Sequence, residues 1–339
     1  GKYLQLNTEG YGGMLCAPWL DRPLSVAGRV VVGTENGLET KLIALDRALL
    51  MIPSVAIHMN REANDGMKYN KQVDMLPLFG GQESKAGDFK KMIAAGVGTT
   101  PDNIYGSDLF LYNRQTPSVW GANEEFYSAP RLDDLACAFT TLIGFLQGKQ
   151  DKNINVFACF DNEEVGSLTK QGADSTFLRD TLQRANEALG KTPSDFMRAQ
   201  AGSFMLSCDN AHAVHPNHPE KSDAGNGVYM NEGIVIKSHA GQKYTSDGVS
   251  MAMFKRICDK VHVPVQYFAN RSDMAGGSTL GNIAMAQMSM NTVDIGLPQL
   301  AMHSPYETAG VKDVAYMIDA VKAFYDTHVK VSGQEIKFE

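Results

Sequence analysis

Cysteine is scarce in this sequence. It occurs five times in 339 residues, at Cys16, Cys137, Cys159, Cys208 and Cys258, an odd number, widely spaced and with no CxxC pair. That excludes a disulfide framework and a zinc-finger spacing, and fits reduced, mostly buried thiols in a cytoplasmic protein. Long apolar runs are missing too. No stretch reaches the roughly 18 apolar residues of a membrane span, and Gly1 to Gly13 has no apolar core of a signal peptide. Positive charge is in short supply: 31 Lys and Arg against 38 Asp and Glu give a net charge of -7. Without a basic footprint, nucleic acid and anionic membranes are not expected partners. An acidic substrate would need a local cation working against the overall field. Internal repeats and low-complexity segments are absent.

What remains is an ordinary globular composition, with 43% apolar residues, 20% charged residues and 13 prolines. The length favours two domains. Residues 1 to about 125 read as strand-rich. Gly28 to Gly33 and Leu38 to Leu45 flank Asn36-Gly37, a type I′ hairpin signal. Asp88 to Ala95 reads as a short helix, Asp108 to Tyr112 as a strand, and the polar stretch Asn60 to Val73 as a loop. From about Ala129 strands alternate with helices. The strands are Ile154 to Phe160, Ser203 to Cys208, Gly233 to Lys237, Val265 to Ala269 and Thr292 to Gly296. The helices are Leu135 to Leu146, Thr176 to Leu189, Val249 to Val261, Ser278 to Met288 and Val311 to Val329. This alternation predicts an α/β fold, a mainly parallel sheet with helices on both faces, in residues 126–339. Ligands of such sheets bind beyond the carboxyl ends of the strands.

Acidic residues gather at those ends. Val156 to Phe160 breaks into Asp161-Asn162-Glu163-Glu164, and the next strand ends at Asp209. A buried carboxylate must be paired, protonated or bound to a cation. The pair of strand ends therefore suggests a metal site, with a solvated acidic turn as the bland alternative. Two further segments join them: Arg131-Leu132-Asp133-Asp134, where acidic residues also suit a helix start, and Ala301-Met302-His303-Ser304. Carboxylates with imidazole and no thiolate suit zinc, manganese or cobalt.

The motifs RLDDL, FDNEEVGS, DNAHAVHP, RSDMAGGST, TVDIGLP and AMHS, in this order, resemble those of the aspartyl aminopeptidase family of two-metal exopeptidases. YLQLNTEGYGG, APWLDRPLSVAGRV and IPSVAIHMN are similar to that family's inserted oligomerisation domain, here residues 1–125. The resemblance implies two divalent ions, zinc first, with Asp133 bridging them. It implies that Glu164 and His303 complete one site, that Asp209 ligates the other, and that Glu163 is the general base. His212 and His215 would position substrate or stabilise the oxyanion, with a structural role as the alternative. His58 would enter a neighbouring subunit's site, as part of a homo-oligomer built from dimers up to a dodecamer, or else close a strand end. Lys237 would meet the acidic side chain of a substrate's first residue, or else snorkel to solvent. Peptides with a free N-terminus, beginning with Asp or Glu, would be the substrates. Broader specificity, a non-catalytic scaffold and metal-free glycoside hydrolysis are the alternatives. Asp134 stands where the family usually has Asn. The family's early His-x-Asp motif has no counterpart among the eight histidines, and the chain does not begin with Met, so a preceding segment is expected.

Overall fold

A computed structural model of the chain describes residues 2–149, 152–332 and 335–339. The chain divides into two compact units. The first is Gly1–Pro117 with His303–Tyr306, and the second is Ser118–Met302 with Glu307–Glu339. Among the described residues no helix is long and apolar enough to cross a membrane.

The first unit is built on the long strand Leu24–Thr34, paired antiparallel with Gly37–Ala44 on one side and Ile104–Asn113 on the other. Strand side chains alternate between faces. Leu24, Val26, Val30 and Val32 accordingly fall on one face and pack with Ile43, Leu50, Ile52 and Ile93, the last from the helix Asp88–Gly96. Gly28 takes the remaining slot in that series. A Cβ there would lie 2.1 Å from Asp108 O, so only glycine lets the two strands close up. The expected hairpin forms one residue earlier than read. Thr34 pairs with Gly37, so Glu35 and Asn36 make the loop, and neither has positive φ. A type I′ turn needs positive φ at both central residues, so the turn is of another kind. Within the expected loop, Lys71–Asp74 winds one turn of helix, with the Asn70 side chain accepting from Gln72 N.

The second unit is α/β. One sheet runs in the order Val265–Ala269, Ile234–Ser238, Asn291–Gly296, Phe204–Cys208. Both outer pairs are parallel and the central junction, Ile234–Ser238 with Asn291–Gly296, is antiparallel. A second, five-stranded sheet holds Phe126–Ala129, Glu307–Gly310, Pro298–Leu300 and Ala211–His212 among its strands. Alternation again sets the faces of the first sheet. Ile234, Ile236, Val293 and Ile295 pack with Cys137, Phe254 and Met317 from the helices Leu132–Gln147, Gly248–Lys260 and Val311–Tyr325. The intervening residues Val235, Lys237 and Asp294 are equally buried on the opposite face. There the helix Leu280–Gln287 approaches so closely that a Cβ on Gly281 would lie 2.6 Å from Ser207 Oγ.

Three further local readings differ from the structure. Residues 154–160, read as a strand, carry no ladder, because no strand among the described residues lies alongside to supply hydrogen bonds. The helix Pro193–Ala201 was not expected. Its signal was the capping box of Thr192 and Asp195 with Pro193 in the first turn. The last long helix stops at Tyr325, and Val329–Ser332 instead pairs with Glu335–Phe338.

The polar knot on the second face of the sheet is centred on Asp294, which is fully buried. Its carboxylate accepts from Thr245 N, Thr245 Oγ1 and Thr279 Oγ1. Replacing Asp294 with Ala leaves three buried donors unpaired, and each costs about 1–3 kcal/mol. The D294A chain should unfold at a lower urea midpoint with an unchanged m value, as read by circular dichroism.

Candidate metal centre

Asp133 and Asp134 sit at the entry of Leu132–Gln147, before its regular turns begin. Arg131 is left-handed at φ 58, and Asp133 and Asp134 keep non-helical φ/ψ pairs of -85/112 and -119/37. The peptide between the two aspartates is cis. Two buried side chains hold this entry in place. Glu307, 2% exposed, accepts from Asp133 N at 2.8 Å. Asn210 donates from Nδ2 to Leu132 O at 2.8 Å and to Gln299 Oε1 at 3.0 Å, and its Oδ1 accepts from Cys137 Sγ.

Asp209 comes immediately before Asn210, just past the Phe204–Cys208 strand, and its N–H donates to Ile295 O at 3.0 Å. Lys237 lies beneath it. The ammonium donates to Asp209 O at 2.9 Å and Asn210 O at 3.2 Å, stands 3.5 Å from Asp209 Oδ2, and faces the Tyr244 ring at 5.3 Å. Burial opposes its charge, but Asp209 and Asp294 outweigh burial and hold the ammonium above the ordinary lysine range.

Glu163 and Glu164 open a single helical turn, Glu163–Val165. Asn162 before it and Gly166 after it are left-handed, at φ 60 and 99. Asn tolerates that conformation better than most side chains. The Asn162 side chain donates to Thr169 Oγ1, which ties the turn to its own loop.

These segments bring ligand atoms together in two groups. In one, atoms of Asp133, Asp134 and Asp209 all lie within 4.8 Å of one another; in the other, atoms of Asp133 and Glu164 do so. Asp133 belongs to both. The electrostatics of the first group are those of crowded carboxyls. Burial, followed by the charges of Asp133 and Glu163, raises Asp209 to about 7 against the pull of Lys237. Burial, followed by Asp209 and Asp133, raises Asp134 well above the usual carboxylate range. Asp134 Oδ1 is buried with no hydrogen-bond partner among the described residues. An orphaned carboxylate oxygen in a cluster of like charges is relieved by a cation, so the residues fit a divalent ion. The donor set of carboxylate oxygens and imidazole suits zinc or manganese. His303 has its Nδ1 3.1 Å from Gly13 O. Donation to that carbonyl places the proton on Nδ1 and makes Nε2 the basic nitrogen.

The other residues read from sequence lie as follows. His212 ends the short strand Ala211–His212, its ring 6.3 Å from that of Phe268. The Nδ1 of His215 accepts from Asn217 N, and its ring is 5.4 Å from that of His218. His58 is exposed on a turn of the first unit. Lys237 is only 2% exposed, and its ammonium is engaged by the chain's own oxygens. Sequence reading missed Asn210, Gln299 and Glu307. Asn210 had a signal, a polar residue directly after a strand-end ligand. Glu307 and Gln299 had none, because only the fold buries them beside Asp133 and Asn210.

An α/β unit with a cluster of carboxylates that fits a divalent cation suits the class of metal-dependent hydrolases. Comparison with known proteins narrows the class. Residues 1–325 match the family model "Aminopeptidase I zinc metalloprotease (M18)". A relative from Clostridium acetobutylicum, "Probable M18 family aminopeptidase 2", is 48% identical over 329 residues, covering 96% of this chain and 76% of the relative. The structure titled "Cryo-EM structure of the Ape4 and Nbr1 complex" superposes with a TM-score of 0.90 at 35% identity, over 96% of this chain and 67% of that one. The "Structure of S. cerevesiae mApe1 dodecamer" does so with a TM-score of 0.78 at 26% identity, over 95% and 73%. The chain belongs to the M18 family of aminopeptidases, which are metallopeptidases.

The sharing of Asp133 makes a prediction about stoichiometry. Asp209→Asn should lose zinc from one group, Glu164→Gln from the other, and Asp133→Asn from both. Elemental analysis of each variant after equilibrium dialysis against zinc reads the difference.

Proposed function

We propose that this chain is a two-cation aminopeptidase that removes the N-terminal residue, Asp or Glu by preference, from peptides. The observation that carries the reading is the Asp133, Asp134 and Asp209 group with its orphaned buried oxygen, joined through Asp133 to Glu164. Two divalent ions held there, zinc by the family's description, would polarise the scissile carbonyl and activate water. Asp133 would be shared by both ions, Glu164 and His303 would complete one set, and Asp209 would serve the other.

The protein's own part is proton handling and orientation. Glu163 sits beside the proposed ligand Glu164, and its charge reaches Asp209. Successive residues on one turn point in different directions. Glu164 can therefore face a cation while Glu163 takes the proton of the attacking water and returns it to the leaving amine. His212 and His215 follow Asp209 closely in sequence, and we assign them to orienting substrate or stabilising the developing oxyanion. The acidic-residue preference rests on the motif resemblance. Lys237 supports it only indirectly, because its ammonium is already engaged below the site.

We further propose that the first unit mediates assembly and that His58 acts in a neighbouring subunit. The dodecamer recorded for the yeast aminopeptidase at TM-score 0.78 supports this. The free cysteines, with Cys137 and Cys258 buried, support a cytoplasmic setting.

The test is release of the first residue from Asp-, Glu- and Leu-initiated peptides, followed by chromatography with and without a chelator. Turnover that survives metal removal would exclude the reading. Glu163→Gln should keep its zinc and lower kcat by roughly 10²–10⁴-fold, the worth of general acid–base catalysis. Normal turnover in that variant would remove Glu163 from the role. Mixing inactive His58→Ala and Glu163→Gln chains should restore part of the activity, because some interfaces then pair both intact residues. A fully active monomer in sedimentation analysis would exclude action in trans.

A further inference from the structure

Lys237 occupies a position the sheet normally gives to an apolar side chain. It follows Ile234, Val235 and Ile236, all fully buried, and is itself 2% exposed. A lysine in such a slot loses its hydration, and the loss is tolerated only when the chain supplies oxygens in its place. Here the two shortest contacts of the ammonium are main-chain carbonyls, Asp209 O at 2.9 Å and Asn210 O at 3.2 Å. The carboxylate of Asp209 is farther off, at 3.5 Å. The ammonium thus ties down the backbone of the Asp209–Asn210 corner by direct hydrogen bonds while also standing beside the carboxylate that would hold a cation.

Asn210 carries the restraint onward. Its amide donates to Leu132 O, directly before Asp133, and to Gln299 Oε1, while its own carbonyl is held by Lys237. The chain of contacts runs Lys237, Asn210 main chain, Asn210 side chain, Leu132, Asp133. It links the corner that bears Asp209 to the helix entry that bears Asp133 and Asp134.

We propose that Lys237 and Asn210 form a buried brace that sets the spacing of Asp209 against Asp133 and Asp134 and thereby the cation affinity of that group. Both are positioning residues. The inference deepens the metal reading above and rests on it.

Two physical effects of removing Lys237 have opposite signs, and this makes the proposal testable. If Lys237 acted only as a nearby positive charge, its loss would tighten cation binding, since repulsion would go. If it acts as a brace, its loss loosens the corner and weakens binding. Partners behind metal ligands typically contribute 10–100-fold to affinity.

The experiment is zinc titration of the whole chain against a chromophoric chelator, with native protein, Lys237→Met, Asn210→Ala and Ile236→Val as a control. Ile236 is on the same strand but faces the opposite core. The native chain should show two classes of zinc. Lys237→Met and Asn210→Ala should each weaken one class by 10–100-fold and leave the other, while Ile236→Val changes neither. Unchanged or tighter zinc in a folded Lys237→Met chain overturns the brace. If Lys237→Met does not fold, Asn210→Ala alone decides, by the same criterion. A native chain that takes up no zinc overturns the metal reading itself, an outcome distinct from failure of the brace.

Discussion

Like charge held close together in a half-buried cluster is the condition on which the second unit is organised. Asp133, Asp134 and Asp209 offer oxygens within 4.8 Å of one another, and burial raises the proton affinity of Asp134 and Asp209. Carboxylates in that arrangement repel, and they stay ionised only where positive charge is supplied. Lys237 supplies one unit from below. The orphaned Asp134 oxygen shows that it does not satisfy the whole cluster. A divalent ion is the economical remedy, and family membership names zinc.

The scaffold around this cluster is correspondingly stiff. Asp209 is fixed by its N–H to Ile295 O, Asp133 by its N–H to buried Glu307, and the two segments by Asn210. Such a frame suits chemistry in which orientation matters, because ligand geometry is settled before a substrate arrives. Asp294 does the equivalent on the neighbouring strand, gathering the donors of Thr245 and Thr279 on the second face of the sheet.

Lys237 shows how a correct observation can carry an incomplete reading. A lysine after Ile234-Val235-Ile236 is out of place in a strand, and the motif resemblance implies a cation offered to substrate, with snorkelling to solvent as the alternative. The sheet buries it, and a buried ammonium is committed to nearby oxygens before any ligand arrives. Residues 154–160 teach the same lesson for the backbone. Their apolar run has strand character, but a strand exists only with a neighbour to bond, and none lies alongside among the described residues.

Periodicity and local chemistry were legible without coordinates. The α/β alternation after Ala129, the helix boundaries near Asp88 and Gly96, and the carboxylates at strand ends all depend on residues near one another in sequence. The proposed ligands Asp133, Glu164, Asp209 and His303 come from motif order, and of these Asp209 lies directly past a strand end, where ligands of an α/β sheet collect. Tertiary structure alone decided the rest. The antiparallel junction between Ile234–Ser238 and Asn291–Gly296 depends on which strands meet. So do the burial of Lys237 and the meeting of Asn210 with Leu132, 78 positions away. Sequence specifies which groups want a partner; the partner itself is chosen by packing over long separations, where no local pattern reaches.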